Sequence, residues 1–229
     1  MKDLIIVVDM DEVTADLSNT IRKRVNKDFG KDFPEGYNKS YWWKDYCIQK
    51  SYFEHLLNEK GFFASLKPIS GAIETLDKLN QEGYEIHILT CPQSNRYCYF
   101  EKIMWVQKYL PFVNIETNFH ATGNKGLFAK ENRILIDDNI KYLNQWSNNG
   151  GISIAFGKYG WNEDYDGINA ANWNEVYNKI KELEALYNCW IEPKKNEKST
   201  DFNVNISCKS SDINIDLDKY RNYIRREID

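Results

Sequence analysis

Leu4-Ile5-Ile6-Val7-Val8 runs without a polar residue and then meets two carboxylates, Asp9 and Asp11, two positions apart. An unbroken aliphatic run of this length reads as a strand buried on both faces, the kind found in parallel sheets. Arg133-Ile134-Leu135-Ile136 repeats the pattern and again ends on acids, Asp137 and Asp138. Tyr84 to Leu89 forms a further strand that stops at Thr90-Cys91-Pro92, and Gly150-Gly151 precedes another over Ile152 to Phe156. Helical spacing separates these runs: Leu17, Ile21 and Val25; Ile73, Leu76 and Leu79; residues 97–109; and residues 172–187. Strand and helix in alternation imply an α/β fold with helices on both faces of a parallel sheet. Right-handed crossovers then bring the strand ends to one edge. Asp9, Asp11, Thr90, Asp137 and Asp138 meet there, where ligands bind in open α/β sheets. Clustered carboxylates repel one another, so a hard divalent cation with oxygen ligands is their expected companion. Taken alone, Asp9-x-Asp11 could equally be punctuation, with Asp11 capping a helix.

Residues 30–67 differ in composition. Gly30, Pro34 and Gly36 mark loops, Tyr41, Trp42, Trp43 and Tyr46 form an aromatic cluster, and Gly61-Phe62-Phe63 closes the segment. A small helical insertion over the Asp9 strand end is expected. Its rings either pack its own core or stack on a planar ligand such as a nucleobase. Residues 112–115 with Phe119 read as a short strand or turn, and Asn124-Lys125-Gly126 opens a brief helix. From Trp190 the chain turns polar, then alternates through Phe202, Val204, Ile206 and Ile213, Ile215, Leu217, as in a hairpin, before a short helix. This extension could cover a sheet edge, make a homodimer contact or bind another partner.

Composition narrows the function. With 229 residues, 42% hydrophobic, the chain suits one α/β domain with an insertion and an appendage. A net charge of -4 argues against binding a nucleic-acid polymer, though single nucleotides remain candidate ligands. No apolar run approaches the roughly 20 residues of a membrane span. The chain enters its first strand without a signal-peptide pattern. Five irregularly spaced cysteines fit reduced thiols in a cytoplasm. His87 reads as hydrogen-bonded core.

The set Asp9-Met10-Asp11, Thr90, Lys125 and Asp137-Asp138 resembles the haloacid dehalogenase (HAD) superfamily of phosphotransferases. Over residues 3 to 187 the chain is similar to the 5'(3')-deoxyribonucleotidases. Val8-Asp9-Met10-Asp11-x-Val13-x-Ala15-Asp16, Gly61-Phe62-Phe63 with Pro68-Ile69-x-Gly71-Ala72, Glu101-Lys102-x-x-Trp105-Val106 and Leu135-Ile136-Asp137-Asp138 carry that similarity. The resemblance implies a Rossmann-like core over 1–16 and 68–188 and a helical cap over 17–67; residues 189–229 are a C-terminal extension that it does not cover. It implies Asp9 as nucleophile, forming an aspartyl-phosphate, and Asp11 as general acid and then base. Mg²⁺ would be held by Asp9, the Asp11 carbonyl and Asp137, with Asp138 supporting. Thr90 would hold phosphoryl oxygens and Lys125 would neutralise charge, Lys130 being the competing lysine. Trp42, Trp43, Phe62, Phe63 and Cys91 are the expected substrate contacts. Glu12 stands where many relatives have Gly, and Cys91 where nucleotidases often have Ser. The expected activity is Mg²⁺-dependent release of phosphate from nucleoside monophosphates. The alternatives are another small phosphoester, such as a sugar phosphate, or a nucleotide-binding regulator without turnover.

Overall fold

The computed structural model describes residues 2–37 and 42–191, and for Trp42, Trp43 and residues 189–191 the backbone alone. The expected C-terminal hairpin and helix, and the side chains of Trp42 and Trp43, lie outside the described residues.

Six strands form one parallel sheet in the order β3-β2-β1-β4-β5-β6. They are β1 (Ile5–Val8), β2 (Glu85–Thr90), β3 (Phe119–Ala121), β4 (Arg133–Asp137), β5 (Ile152–Phe156) and β6 (Ile168–Ala170). That order reverses direction at β1, the switch point beside which doubly wound sheets place ligands. The central strands are buried on both faces, which is why their sequences do not alternate. Val7, Leu89 and Leu135 pack on Trp146 at one face. Ile6, Val8, Ile88, Ile134 and Ile136 fill the other, all fully buried or nearly so.

Helices α1 (Leu17–Phe29), α2 (Trp42–Asp45) and α3 (Lys50–Leu57) lie between β1 and α4 (Ala72–Gln81) in the chain. Leu17, Ile21 and Val25 are the buried stripe of α1, as their spacing predicts. The Asp16 side chain caps α1 by accepting from the Asn19 N–H, so Asp16 and not Asp11 is the helix cap. Next come α5 (Cys98–Tyr109), α6 (Ile115–Asn118), α7 (Ile140–Asn148) and α8 (Trp173–Ile191). Of the two readings of residues 112–115 the turn holds: Val113 N–H donates to the Leu110 carbonyl at 2.9 Å, the Asn114 side chain then accepts from Glu116 N–H and starts the short helix α6, and a strand begins at Phe119. Met1–Val176 make one compact unit and the chain from Tyr177 a second. In the second, Lys179 pairs with Glu182 and Lys181 with Glu184 along α8. None of the described helices is long and apolar enough to cross a membrane.

His87 sits inside β2, hydrogen-bonded through Nδ1 to His120 Nε2 at 2.9 Å and through Nε2 to Glu85 Oε1 at 2.7 Å. Burial, then the charges of His87 and Arg133, pushes the His120 ring below the ordinary histidine value of 6.5. Folding therefore favours the neutral ring. Its contribution is full above about pH 6.5 and is lost as pH falls through the lowered folded value. The melting temperature should drop on acidification in that window, and His120→Gln should flatten the drop. A variant that tracks the wild type down to about pH 5 would remove His120 as a cause.

Candidate active site

The strand register assembles the site. Val8 pairs with Ile88 on one side and Ile136 on the other, so the next residue, Asp9, emerges between the ends of β2 and β4. The Asp9 N–H donates to the Ile136 carbonyl at 2.9 Å, which fixes the first acid beside Asp137.

Beyond Asp9 the chain makes a tight turn. The Met10 carbonyl accepts from the N–H groups of Val13, Thr14 and Ala15 at 3.3, 2.9 and 2.7 Å, and Glu12 N–H reaches the Ala15 carbonyl. Glu12 takes φ of 61°, in the left-handed region that costs any residue but glycine. Here the strained residue is held at both ends: its carbonyl accepts from Tyr159 OH at 2.8 Å, and Oε1 accepts from Ser18 N–H at the start of α1. Burial pushes the Glu12 carboxyl up to about 8. Trp173 Nε1 donates to the Val13 carbonyl at 2.9 Å and closes the turn from behind.

Lys125 is the centre of charge. Its Nζ, wholly buried, donates to Asp9 Oδ1 and to Asp137 Oδ2, both at 2.6 Å. Burial alone would push this ammonium down, but the charges of Asp137 and Asp9 push it further up. The Tyr142 ring lies 4.7 Å from Nζ, and Cys91 is half-buried. Lys130, by contrast, is exposed. The expected brief helix is a 3₁₀ turn, Lys125–Phe128, packed so closely on α7 that Gly126 has no room for a side chain. A Cβ there would lie 2.9 Å from the Gln145 carbonyl and 2.7 Å from Asn149 Nδ2.

Asp9, Asp137 and Asp138 bring carboxylate oxygens within 4.8 Å of one another, the hard-donor set a divalent cation takes. Asp138 is oriented by Trp161 Nε1, 2.8 Å from its Oδ2, and its carbonyl accepts from Asn162 Nδ2 at 3.1 Å. Burial, then the charges of Asp137 and Asp9, pushes the Asp138 carboxyl well up.

Asp11 is handled differently. Its Oδ2 accepts from Lys102 Nζ at 2.8 Å, and Lys102 also donates to Thr90 Oγ1 at 2.7 Å. Its Oδ1 is buried without a hydrogen-bond partner. Burial pushes the Asp11 carboxyl up, opposed by the Lys102 charge and reinforced by that of Asp9. Sequence reading singled out neither Lys102 nor Glu101 as a site residue. The signal was their place in the family-like run ending at Trp105-Val106. Phe62 and Phe63 are 5% and 1% exposed, packed edge to face, with the Phe63 ring 5.6 Å from Lys102 Nζ.

A model of the family described as "5' nucleotidase, deoxy (Pyrimidine), cytosolic type C protein" matches residues 3–186. The chain belongs to that family. Two relatives of this nucleotidase family carry the name "Putative 5'(3')-deoxyribonucleotidase". One, from Staphylococcus epidermidis, is 28% identical over 180 residues, 78% of this chain and 97% of that protein. The other, from Chlorobaculum tepidum, is 25% identical over 196 residues, 78% of this chain and 90% of its own. The fold is that of HAD hydrolases. A HAD family hydrolase of Deinococcus radiodurans R1, solved with bound phosphate and sodium, matches with TM-score 0.57 at 11% identity. That match covers 78% of this chain and 95% of the other. A haloacid dehalogenase-like hydrolase of Xanthomonas campestris matches with TM-score 0.52 at 11% identity, over 81% of this chain and 93% of its own.

Gly126 tests how tightly the Lys125 turn is seated. Gly126→Ala should destabilise the protein by about 1–3 kcal/mol in chemical denaturation, the usual cost of overpacking. Loss of less than about 0.5 kcal/mol would mean that α7 yields to the methyl group.

Proposed function

We propose that the protein is a Mg²⁺-dependent phosphomonoester hydrolase acting on deoxyribonucleoside or ribonucleoside monophosphates through an aspartyl-phosphate. The observation that carries this reading is the division of labour between the two acids of one turn. Asp9 is paired to Lys125, whereas Asp11 is tied by one oxygen and keeps the other buried and free of partners. A charged acid suits nucleophilic attack, and a raised one suits proton delivery.

In the forward half-reaction an Asp9 oxygen attacks phosphorus, the ester P–O bond breaks, and the leaving alkoxide takes a proton from Asp11. Water then attacks the aspartyl-phosphate while Asp11 takes back a proton, releasing phosphate and restoring Asp9. Lys125 offsets the negative charge gathered at Asp9 and the phosphoryl group. Thr90, at the end of β2, offers its hydroxyl and the following backbone N–H groups to phosphoryl oxygens. Asp9, Asp137 and the Asp11 carbonyl would hold Mg²⁺, and Asp138, oriented by Trp161, would support that shell. When bound, the ion supplies charge neutralisation between phosphate and carboxylates.

The 17–67 insertion is the cap on this reading, and its aromatic residues Trp42, Trp43, Phe62 and Phe63 are the proposed base contacts. Membership in the nucleotidase family and the names of the two relatives support a nucleotide over a sugar phosphate. A cytoplasmic location accords with the free thiols of Cys47, Cys91 and Cys98.

Phosphate release from a panel of nucleoside monophosphates and sugar phosphates, with and without EDTA, tests the reading. Nucleotides should be turned over best, EDTA should abolish activity, and Asp9→Asn should cost at least about 1,000-fold, as loss of a nucleophile does. Activity that survives either change sinks the mechanism. Trp42→Ala should weaken use of nucleotides while sparing a small non-nucleotide phosphoester. Equal losses on both would count against base stacking.

A further inference from the structure

Helix α5 carries two charged neighbours, Glu101 and Lys102, that are 4% and 1% exposed. Charged side chains are almost never buried so deeply unless fully paired, and adjacent helix positions point in different directions. The pair therefore grips two separate parts of the molecule.

Glu101 holds the segment by which the chain returns from the insertion. Its carboxyl oxygens accept from the N–H groups of Gly61 at 2.5 Å and Phe63 at 2.9 Å. One turn further along α5, Trp105 Nε1 donates to the Leu66 carbonyl at 2.8 Å. Gly61 takes φ of 89°, a backbone conformation that glycine adopts at no steric cost. The way into the insertion is tied to this segment too: Asp16 N–H donates to the Lys67 carbonyl and Ile69 N–H to the Thr14 carbonyl.

Lys102, the next residue, holds the proton donor. Its ammonium reaches Asp11 Oδ2 and Thr90 Oγ1, with the Phe63 ring on its remaining side. The position of Asp11 is thus set by a side chain whose helix is itself clamped to the insertion's return segment. Resting on the phosphatase reading above, we infer that Glu101 and Lys102 are positioning residues that couple the seating of the insertion to proton delivery by Asp11. Substrates that fill the insertion are then selected by how fast their leaving group departs, and not by binding alone.

A staple with only a structural role would slow every substrate alike. Coupling to Asp11 makes a different demand, because only a poor leaving group needs the proton. Nucleoside and sugar alkoxides need it; 4-nitrophenolate does not. The test is kcat/KM, which reports the steps up to release of the alcohol, on the best alkyl phosphoester of the panel and on 4-nitrophenyl phosphate. Lys102→Met should lower the ratio of the two by about 100-fold, the size of a misplaced general acid. Glu101→Gln keeps the shape and one carbonyl acceptor, giving up one of the two backbone bonds, and is the milder change to the interior; folding of both variants is checked by circular dichroism before the kinetics. It should lower the ratio by about 10-fold, with 4-nitrophenyl phosphate turnover held within about 3-fold of wild type. A ratio that stays at the wild-type value in Glu101→Gln, or equal losses on both substrates, overturns the coupling alone. A wild type that hydrolyses no phosphoester overturns the phosphatase reading and the coupling together.

Discussion

The buried ammonium of Lys125 is what permits the rest of the site. Three acids, Asp9, Asp137 and Asp138, converge at the end of a sheet whose strands are sealed on both faces. Desolvated carboxylates at such separations repel strongly, and burial alone costs several kcal/mol per ion before any partner is counted. Lys125 answers two of the three, donating to Asp9 and Asp137 at equal distance. It can do so because a 3₁₀ turn packs without side-chain clearance on α7 at Gly126. Asp138 has a neutral indole donor instead, and its carboxyl is pushed up accordingly.

A second lysine answers the second acid of the turn. Lys102 and Lys125 divide the pair between them, and that division separates the two carboxylates chemically even though one residue lies between them. Asp9 faces the acidic edge and the β4 end. Asp11 faces α5 and the return segment, where one oxygen is fixed and the other is not. Unequal environments around two neighbouring acids are the general route to distinct acid and nucleophile roles.

Much of this was legible in the sequence, for a physical reason. Strands buried on both faces must be aliphatic throughout, so β1 and β4 announced themselves, and their acids followed at the ends. Parallel connection then put Asp9, Thr90 and Asp137 together without any coordinates. The short edge strands β3 and β6 bury too little to leave a clear pattern, and α6 left no signal because an Asn114 cap, not hydrophobic period, starts it. Lys125 stood out over Lys130 only through family likeness; burial separates them in the fold. Lys102 was invisible as a functional group because a lysine within a helix defaults to solvent. Only the tertiary partners, 91 residues away at Asp11 and 12 away at Thr90, make it an interior charge.

Glu12 shows how the turn tolerates a residue that its backbone disfavours. A left-handed φ costs a β-carbon on the order of 1 kcal/mol relative to glycine. Glu12 offsets this by reaching forward to Ser18 N–H, while Tyr159 holds its carbonyl and stacks on Trp161, the same indole that orients Asp138. The strained residue, the loop after β5 and the acid beyond β4 thus form one connected network. Replacing Glu12 by glycine would relieve the backbone but free the first turn of α1, the helix that leads into the insertion. In this chain the turn's conformational cost is carried by its links to neighbouring segments, and those links place the insertion and the acids in register.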